Sequence, residues 1–180
     1  MLIKGIVDED FINYKLPSMY IATATCSFKC DKEYGQPICQ NSELAKQPDI
    51  DINPVDIICR YMQNDITKAI VFGGLEPFDT AYDMYGFIGN LRVLFKCDDD
   101  VVIYTGYTKK ELEQMNFCDL IPNPDGFTFS PNRFHSVLDV FRFQNVIIKF
   151  GRYIPDQQPH FDPVLGVYLA SDNQYAERIS

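Results

Sequence analysis

"PVDIICRYMQNDITKAIVFGG", residues 54–74, decides the fold class. Asn53 precedes it as an N-cap, Pro54 takes the first helical position, and Val55, Ile58, Cys59 and Met62 recur along one face at helical spacing. A helix is expected over 54–65. At "KAIVFGG" (68–74) the period changes to a short continuous apolar run stopped by two glycines, which reads as a strand. A chain that repeats this exchange builds parallel strands joined by crossover helices.

The repeat extends in both directions. "SMYIATA" (18–24) reads as an earlier strand, and "TAYDMYGFIGNLRVLFK" (80–96) as a helix despite Gly86 and Gly89. "DVVIYTG" (100–106) is the next strand, and "TKKELEQM" (108–115) a helix opened by Thr108 and Glu111 at capping-box spacing. "NVIIKF" (145–150) and "VLGVYLA" (164–170) complete the strands. The turn-rich and then aromatic stretch 122–144 breaks the rhythm and reads as an insertion in a single α/β domain spanning 1–180.

At 46% hydrophobic and 14% aromatic residues, the 180-residue chain has enough apolar material for one packed core. A formal charge of −9 disfavours nucleic acid and anionic membrane surfaces as partners, because both repel it at long range. "MLIKGIVDEDFINYK" (1–15) carries no apolar run of signal-peptide length, and no stretch of about 18 apolar residues occurs. A cytoplasmic protein is expected. In a reducing cytosol six cysteines read as ligands, catalytic groups or buried small hydrophobes in preference to disulfides.

Parallel sheets with crossover helices gather their loops at the carboxyl ends of the strands, where ligands of such folds bind. "CSFKCDKEYGQPICQNS" (26–42) follows the first of these strands, "GGLEP" (73–77) the second and "TGYT" (105–108) the third, so three separate stretches are expected on one rim. Cys26, Cys30 and Cys39 have three and then eight intervening residues. Structural zinc asks for four ligands in two close pairs, which this is not. A cubane iron-sulfur cluster held by three thiolates leaves one iron open to a ligand, so an odd count is informative. Two other readings stay open: a zinc site completed by a distant Cys59, Cys97, Cys118 or His135, and unligated structural cysteines.

Together these residues resemble the radical S-adenosylmethionine (SAM) superfamily, and within it the small activating proteins of anaerobic ribonucleotide reductase. That superfamily places three cysteines, with three and then two intervening residues, after the first strand of a partial (β/α) barrel. Here the first gap matches and the second is lengthened by "DKEYGQPI" (31–38), with Ile38 at the place of the aromatic that packs on adenine. "GGLEP" is similar to the superfamily's Gly-Gly-Glu-Pro motif with Leu75 added, and "VVIYTGYTKKEL" (101–112) to the activases' aromatic-Thr-Gly-aromatic stretch. "IIKFGRYI" (147–154) and "LASDNQ" (169–174) resemble their final strand and Asn-Gln ending, so the matches run in order over roughly 18–174.

The resemblance implies a partial (β/α) barrel open on one side, a 4Fe-4S cluster on Cys26, Cys30 and Cys39, and SAM bound at its open iron. Reductive cleavage of SAM would yield a 5′-deoxyadenosyl radical that takes a hydrogen atom from a glycine of a partner. Implied partners are a glycyl radical enzyme such as anaerobic ribonucleotide reductase, and an electron donor of flavodoxin or ferredoxin type. Gly73, Gly74 and Glu76 would contact the methionine end of SAM; Ile38, Tyr104, Thr105 and Gly106 its nucleoside; Lys149 and Asn173 are further contacts. The same cluster and SAM could act on another substrate, and a non-catalytic zinc or iron-sulfur binding module is the contrasting class. Of the remaining residues, Cys59 and Cys118 are expected in the core, Cys97 and the following "DDD" in a solvated loop, and His135 and His160 at the surface.

Overall fold

The structure, a computed structural model, describes residues 1–120 and 135–180. "LIKGIVDED" forms strand β1 (Leu2–Asp10), which pairs antiparallel with β2 (Ser18–Thr23). Two short helices, α1 (Lys29–Tyr34) and α2 (Ser42–Ala45), lie in the cysteine loop, followed by β3 (Ile50–Asp51). Helix α3 (Pro54–Met62) begins as its sequence demands, with the Asn53 side chain accepting from the Val55 N–H at 3.0 Å. Strand β4 (Ala69–Gly74) passes through a 3-10 turn, Pro77–Thr80, into α4 (Ala81–Val93). After β5 (Asp100–Tyr104) comes α5 (Lys109–Gln114), whose capping box between Thr108 and Glu111 is complete. The short helix α6 (Val137–Val140), capped by Ser136, leads to β6 (Val146–Phe150), and β7 (His160–Asp162), β8 (Val167–Leu169) and β9 (Tyr175–Arg178) follow.

Seven strands form one mixed sheet in the order β3-β1-β2-β4-β5-β6-β9. The four central strands β2, β4, β5 and β6 are parallel, as the helix-strand exchange requires; β1, β3 and β9 add antiparallel edges. The α/β class follows from this arrangement. "VLGVYLA" departs from expectation: only Val167–Leu169 is a strand, and it pairs with β7 in a hairpin outside the sheet. Of the stretch 122–144, residues 122–134 lie outside the described residues.

The two faces of the sheet are dressed differently. Ile70 and Phe72 of β4, with Val101 and Ile103 of β5, pack under α3 and α4 in the larger core. The opposite face, with Val71, Val102 and Ile147, carries no helix among the described residues and is covered by Tyr14 and by Leu165 and Leu169 of the β7–β8 hairpin. Lys15 N–H donates to the Leu165 carbonyl at 2.8 Å, joining the 11–16 turn to that hairpin.

Several local expectations are corrected. The buried face of α3 is Ile57, Ile58 and Tyr61, while Met62 is 47% exposed, because Tyr61 turns inward to donate to Asp99 at 2.6 Å. Cys59 and Cys118 are half-buried and outside the core; Cys97, expected in solvent, is buried. Arg92 covers it, donating to the carbonyls of Cys97 (2.7 Å), Asp99 (2.9 Å) and Gln144 (3.0 Å). The "DDD" run is also engaged, since Asp100 accepts from Tyr14 at 2.6 Å and pairs with Arg178 at 2.8 Å. His135 is exposed as expected, and His160 is half-buried on β7.

Candidate iron-sulfur site

Beyond β2 the chain is held against the end of β4. Thr23 donates its hydroxyl to the Gly73 carbonyl at 3.0 Å, and the Glu76 N–H donates to the Thr25 carbonyl at 2.9 Å. Cys26 comes next, its sulfur accepting from the Phe28 N–H at 3.2 Å. Phe28 takes a left-handed conformation (φ 51°), which turns the chain into α1 and brings Cys30 round beside Cys26. Such a conformation costs a bulky residue about 1–2 kcal/mol, so the surrounding contacts must hold it. They include Asp79, which accepts from the Ser27 N–H at 2.6 Å and from the Tyr107 hydroxyl at 2.8 Å.

The thiols of Cys26, Cys30 and Cys39 line one cavity of about 350 Å³. Ile38 lies on the same wall; Gly74 and Glu76 enter from the loop after β4, and Tyr104, Thr105 and Gly106 from the end of β5. Lys149 of β6 lies opposite Tyr104 in register and completes the meeting of loops expected from the sequence. Two candidates stand outside the lining. A Cβ on Gly73 would come within 2.8 Å of the Tyr20 hydroxyl, so this glycine makes room for a tyrosine that itself lines the cavity. Asn173 braces the wall from behind, its amide donating to the Arg152 carbonyl at 2.9 Å, and its neighbour Gln174 faces the cavity instead.

Glu76 is buried and fully engaged. Oε1 accepts from the Thr105 hydroxyl at 2.6 Å and the Phe78 N–H at 3.1 Å, and Oε2 from the Gly106 N–H at 2.8 Å. Burial pushes its carboxyl up to about 7 against the opposing pull of those three donors. Lys149 is 7% exposed and donates to the Gly151 carbonyl at 2.8 Å; burial lowers its ammonium to about 8, and the charge of Glu76 works the other way. The Cys26 and Cys30 thiols are both pushed up to about 11, chiefly by burial, with Cys39 and Asp31 adding to the effect at Cys30. Both shifts favour the protonated thiol in the metal-free chain.

Sequence reasoning missed the ionic clamp at the edge of this cavity, whose Arg152 also lines it. Arg152 meets Glu111 through two nitrogens (2.9 and 2.8 Å), Lys29 reaches the same carboxylate at 2.5 Å, and Arg152 pairs with Glu33 at 3.2 Å. Both cations sit over the Tyr107 ring, 5.3 and 5.6 Å from its centroid. Desolvation opposes the ionised form of Glu111, but these partners hold its carboxyl well below the usual range. The clamp spans α1, α5 and the turn after β6. In the sequence Glu111 carries only its helix-capping signal, and nothing local announces a second role.

The residues present fit a cluster better than a single ion. Three free thiols line the cavity, whereas Cys59, Cys97, Cys118 and His135 do not. Among the described residues, no three His, Cys, Asp or Glu side chains are gathered closely enough to hold one metal ion. A cluster places several irons between its thiolates and so asks for a wider spread than zinc does.

No curated protein and no solved structure matches the chain. Residues 18–130 match the family of the 4Fe-4S single cluster domain, a span that takes in all three cavity cysteines and the loops after β4 and β5. By that match the chain belongs to the 4Fe-4S single cluster domain family.

Proposed function

We propose that the chain is a radical SAM protein of the activase type, with the cluster on Cys26, Cys30 and Cys39 and SAM in the remainder of the cavity. The observation that carries this reading is the meeting of three thiols, and among the described residues no fourth cysteine or any histidine, with the loops after β4 and β5 in one cavity. The one-faced arrangement of helices supports a partial barrel, since α3 and α4 cover the outside of the parallel strands while the face bearing Tyr20, Tyr104 and Lys149 turns toward the cavity. Cys26, Cys30 and Cys39 would hold the cluster, which in its reduced form would supply the single electron for reductive cleavage of SAM.

The chain's own residues bind and orient. Lys149 offers a desolvated ammonium to the methionine carboxylate, and the Gly74 backbone, left-handed at φ 83°, keeps that wall free of side chain. Glu76 fixes the two loops to each other and lends negative charge near the methionine amine. Ile38, Tyr104, Thr105 and Gly106 give the nucleoside an apolar contact and polar edges. The hydrogen donor in this reading is a glycine of a large partner, anaerobic ribonucleotide reductase or a related enzyme, and a flavodoxin or ferredoxin supplies the electron.

Anaerobic reconstitution with iron and sulfide, reduction by dithionite with SAM and chromatography for 5′-deoxyadenosine test the proposal. Product is expected from the parent chain and from Cys118→Ala, and none from Cys30→Ala. A loaded cluster that never cleaves SAM, even with candidate partners, overturns the reading, as does equal iron loss in both variants.

A further inference from the structure

Between Cys30 and Cys39 the chain makes an excursion of eight residues, and the structure shows how it returns. Helix α1 ends at Gly35, whose φ of 79° reverses the chain, and Pro37 stiffens the way back. One carboxylate oxygen closes the loop: Asp31 Oδ1 accepts from the N–H of Ile38 and from the N–H of Cys39, each at 2.9 Å. Residues 32–37 are all exposed, so no core contact fixes the path of the segment. Asp31 itself follows Cys30 directly and is half-buried, and the Gly35 N–H donates to its carbonyl at 2.9 Å.

We infer that Asp31 is the positioning residue that lets an eight-residue gap place the third thiol as a short gap would. Its side chain gathers residues 38 and 39 onto the residue next to Cys30 and leaves the intervening loop outside. Two successive amides that donate to one carboxylate oxygen fix both the position and the direction of Cys39, whereas one such bond leaves a hinge. The turn at residues 35–37, which lies beyond α1 and the Glu33–Arg152 pair, can then vary without moving the ligand. The inference rests on the reading of Cys39 as a cluster ligand.

Four full-length variants separate the two claims: Asp31→Ala, Asp31→Asn, Asp31→Glu and Cys39→Ala, reconstituted beside the parent. Iron and sulfide per chain, the rate of iron loss to a chelator and the melting temperature of the metal-free chain are read. Because α1 contains no buried residue, Asp31→Ala is expected to melt within a few degrees of the parent. It is expected to lose iron at least tenfold faster. Asp31→Asn keeps an acceptor at the same place and should hold iron within about threefold of the parent, while Asp31→Glu, with its oxygen displaced by one methylene, should fall between. Iron loss from Asp31→Ala at the parent rate, with Cys39→Ala unable to load, overturns the inference and leaves the ligand reading intact. A full cluster in Cys39→Ala overturns the ligand reading. Should Asp31→Ala not fold, the order of Asn above Glu decides, and the reverse order overturns the inference.

Discussion

The Thr105 hydroxyl donates to Glu76 Oε1 across 2.6 Å, and together with the Gly106 N–H on Oε2 this bond joins the loop after β4 to the loop after β5. Thr105 Oγ1 also accepts from the Tyr107 N–H at 3.0 Å, so the hydroxyl is used in both directions. Thr105→Val keeps the shape and leaves a buried carboxylate and a buried N–H each short of a partner. A loss of about 1–3 kcal/mol is expected in urea unfolding. Thr105→Ser should recover most of it, and an unchanged midpoint for Val would show that the bond contributes nothing.

The raised carboxyl of Glu76 sets a direction for pH dependence. Its folded value of about 7 lies above the 4.5 expected in the unfolded chain, so the folded state binds the proton more tightly. The contribution is complete below about 4.5 and is lost as pH rises through about 7, on the order of 3 kcal/mol at about 1.4 kcal/mol per unit. Unfolding free energies of the parent and of Glu76→Gln, taken at intervals between pH 4.5 and 8, should diverge in slope over that range. Parallel curves would remove Glu76 as the cause.

Gly74 ends β4 at φ 83°, where a Cβ would also come within 2.9 Å of the Leu44 side chain and 3.1 Å of the Ala22 backbone. Gly74→Ala is expected to destabilise by at least about 1–2 kcal/mol from the backbone alone. Because Leu44 belongs to α2, the substitution should loosen the cysteine loop as well. Faster proteolysis near residues 40–47 is the sign to look for.

Lys149→Met separates binding from folding. Removing an ammonium whose one hydrogen bond among the described residues is to the Gly151 carbonyl should leave the metal-free chain as stable or more so, while SAM affinity falls at least tenfold. The lowered ammonium of the parent adds a pH signature: its folded value of about 8 lies below the 10.5 of the unfolded chain, so parent stability rises with pH across that range. Calorimetric titration with SAM and urea unfolding at pH 8 and 10 measure both. Undiminished SAM affinity would take Lys149 out of the site.

The parallel strands were readable because each is a short apolar run between turn residues, a pattern that strands covered on both faces share. β1 and β9 were not read as strands: "YAER" is too short and mixed to stand out, and the pairing of "LIKGIVDED" with β2 depends on partners that no local pattern names. The orientation of α3 failed for a related reason. Its residues carry two overlapping helical stripes, and a hydrogen bond to Asp99, remote in sequence, selects the one containing Tyr61. That the three thiols, Ile38, Gly74 and Glu76 would share one rim was legible from the motifs that follow successive strands and from their order in the resemblance. Arg152 was not, since an arginine in "FGRYI" shows no sign of the glutamate it will meet from α5.

Lys149 and Gln174 complete the cavity wall, yet both emerge from synthesis long after the three thiols. A nascent chain that has reached only β5 exposes Cys26, Cys30 and Cys39 on a loop whose clamp partner Arg152 does not yet exist. The wall is therefore whole only once β6 has paired with β5 and β9 with β6, so the cavity is the product of contacts made late along the chain.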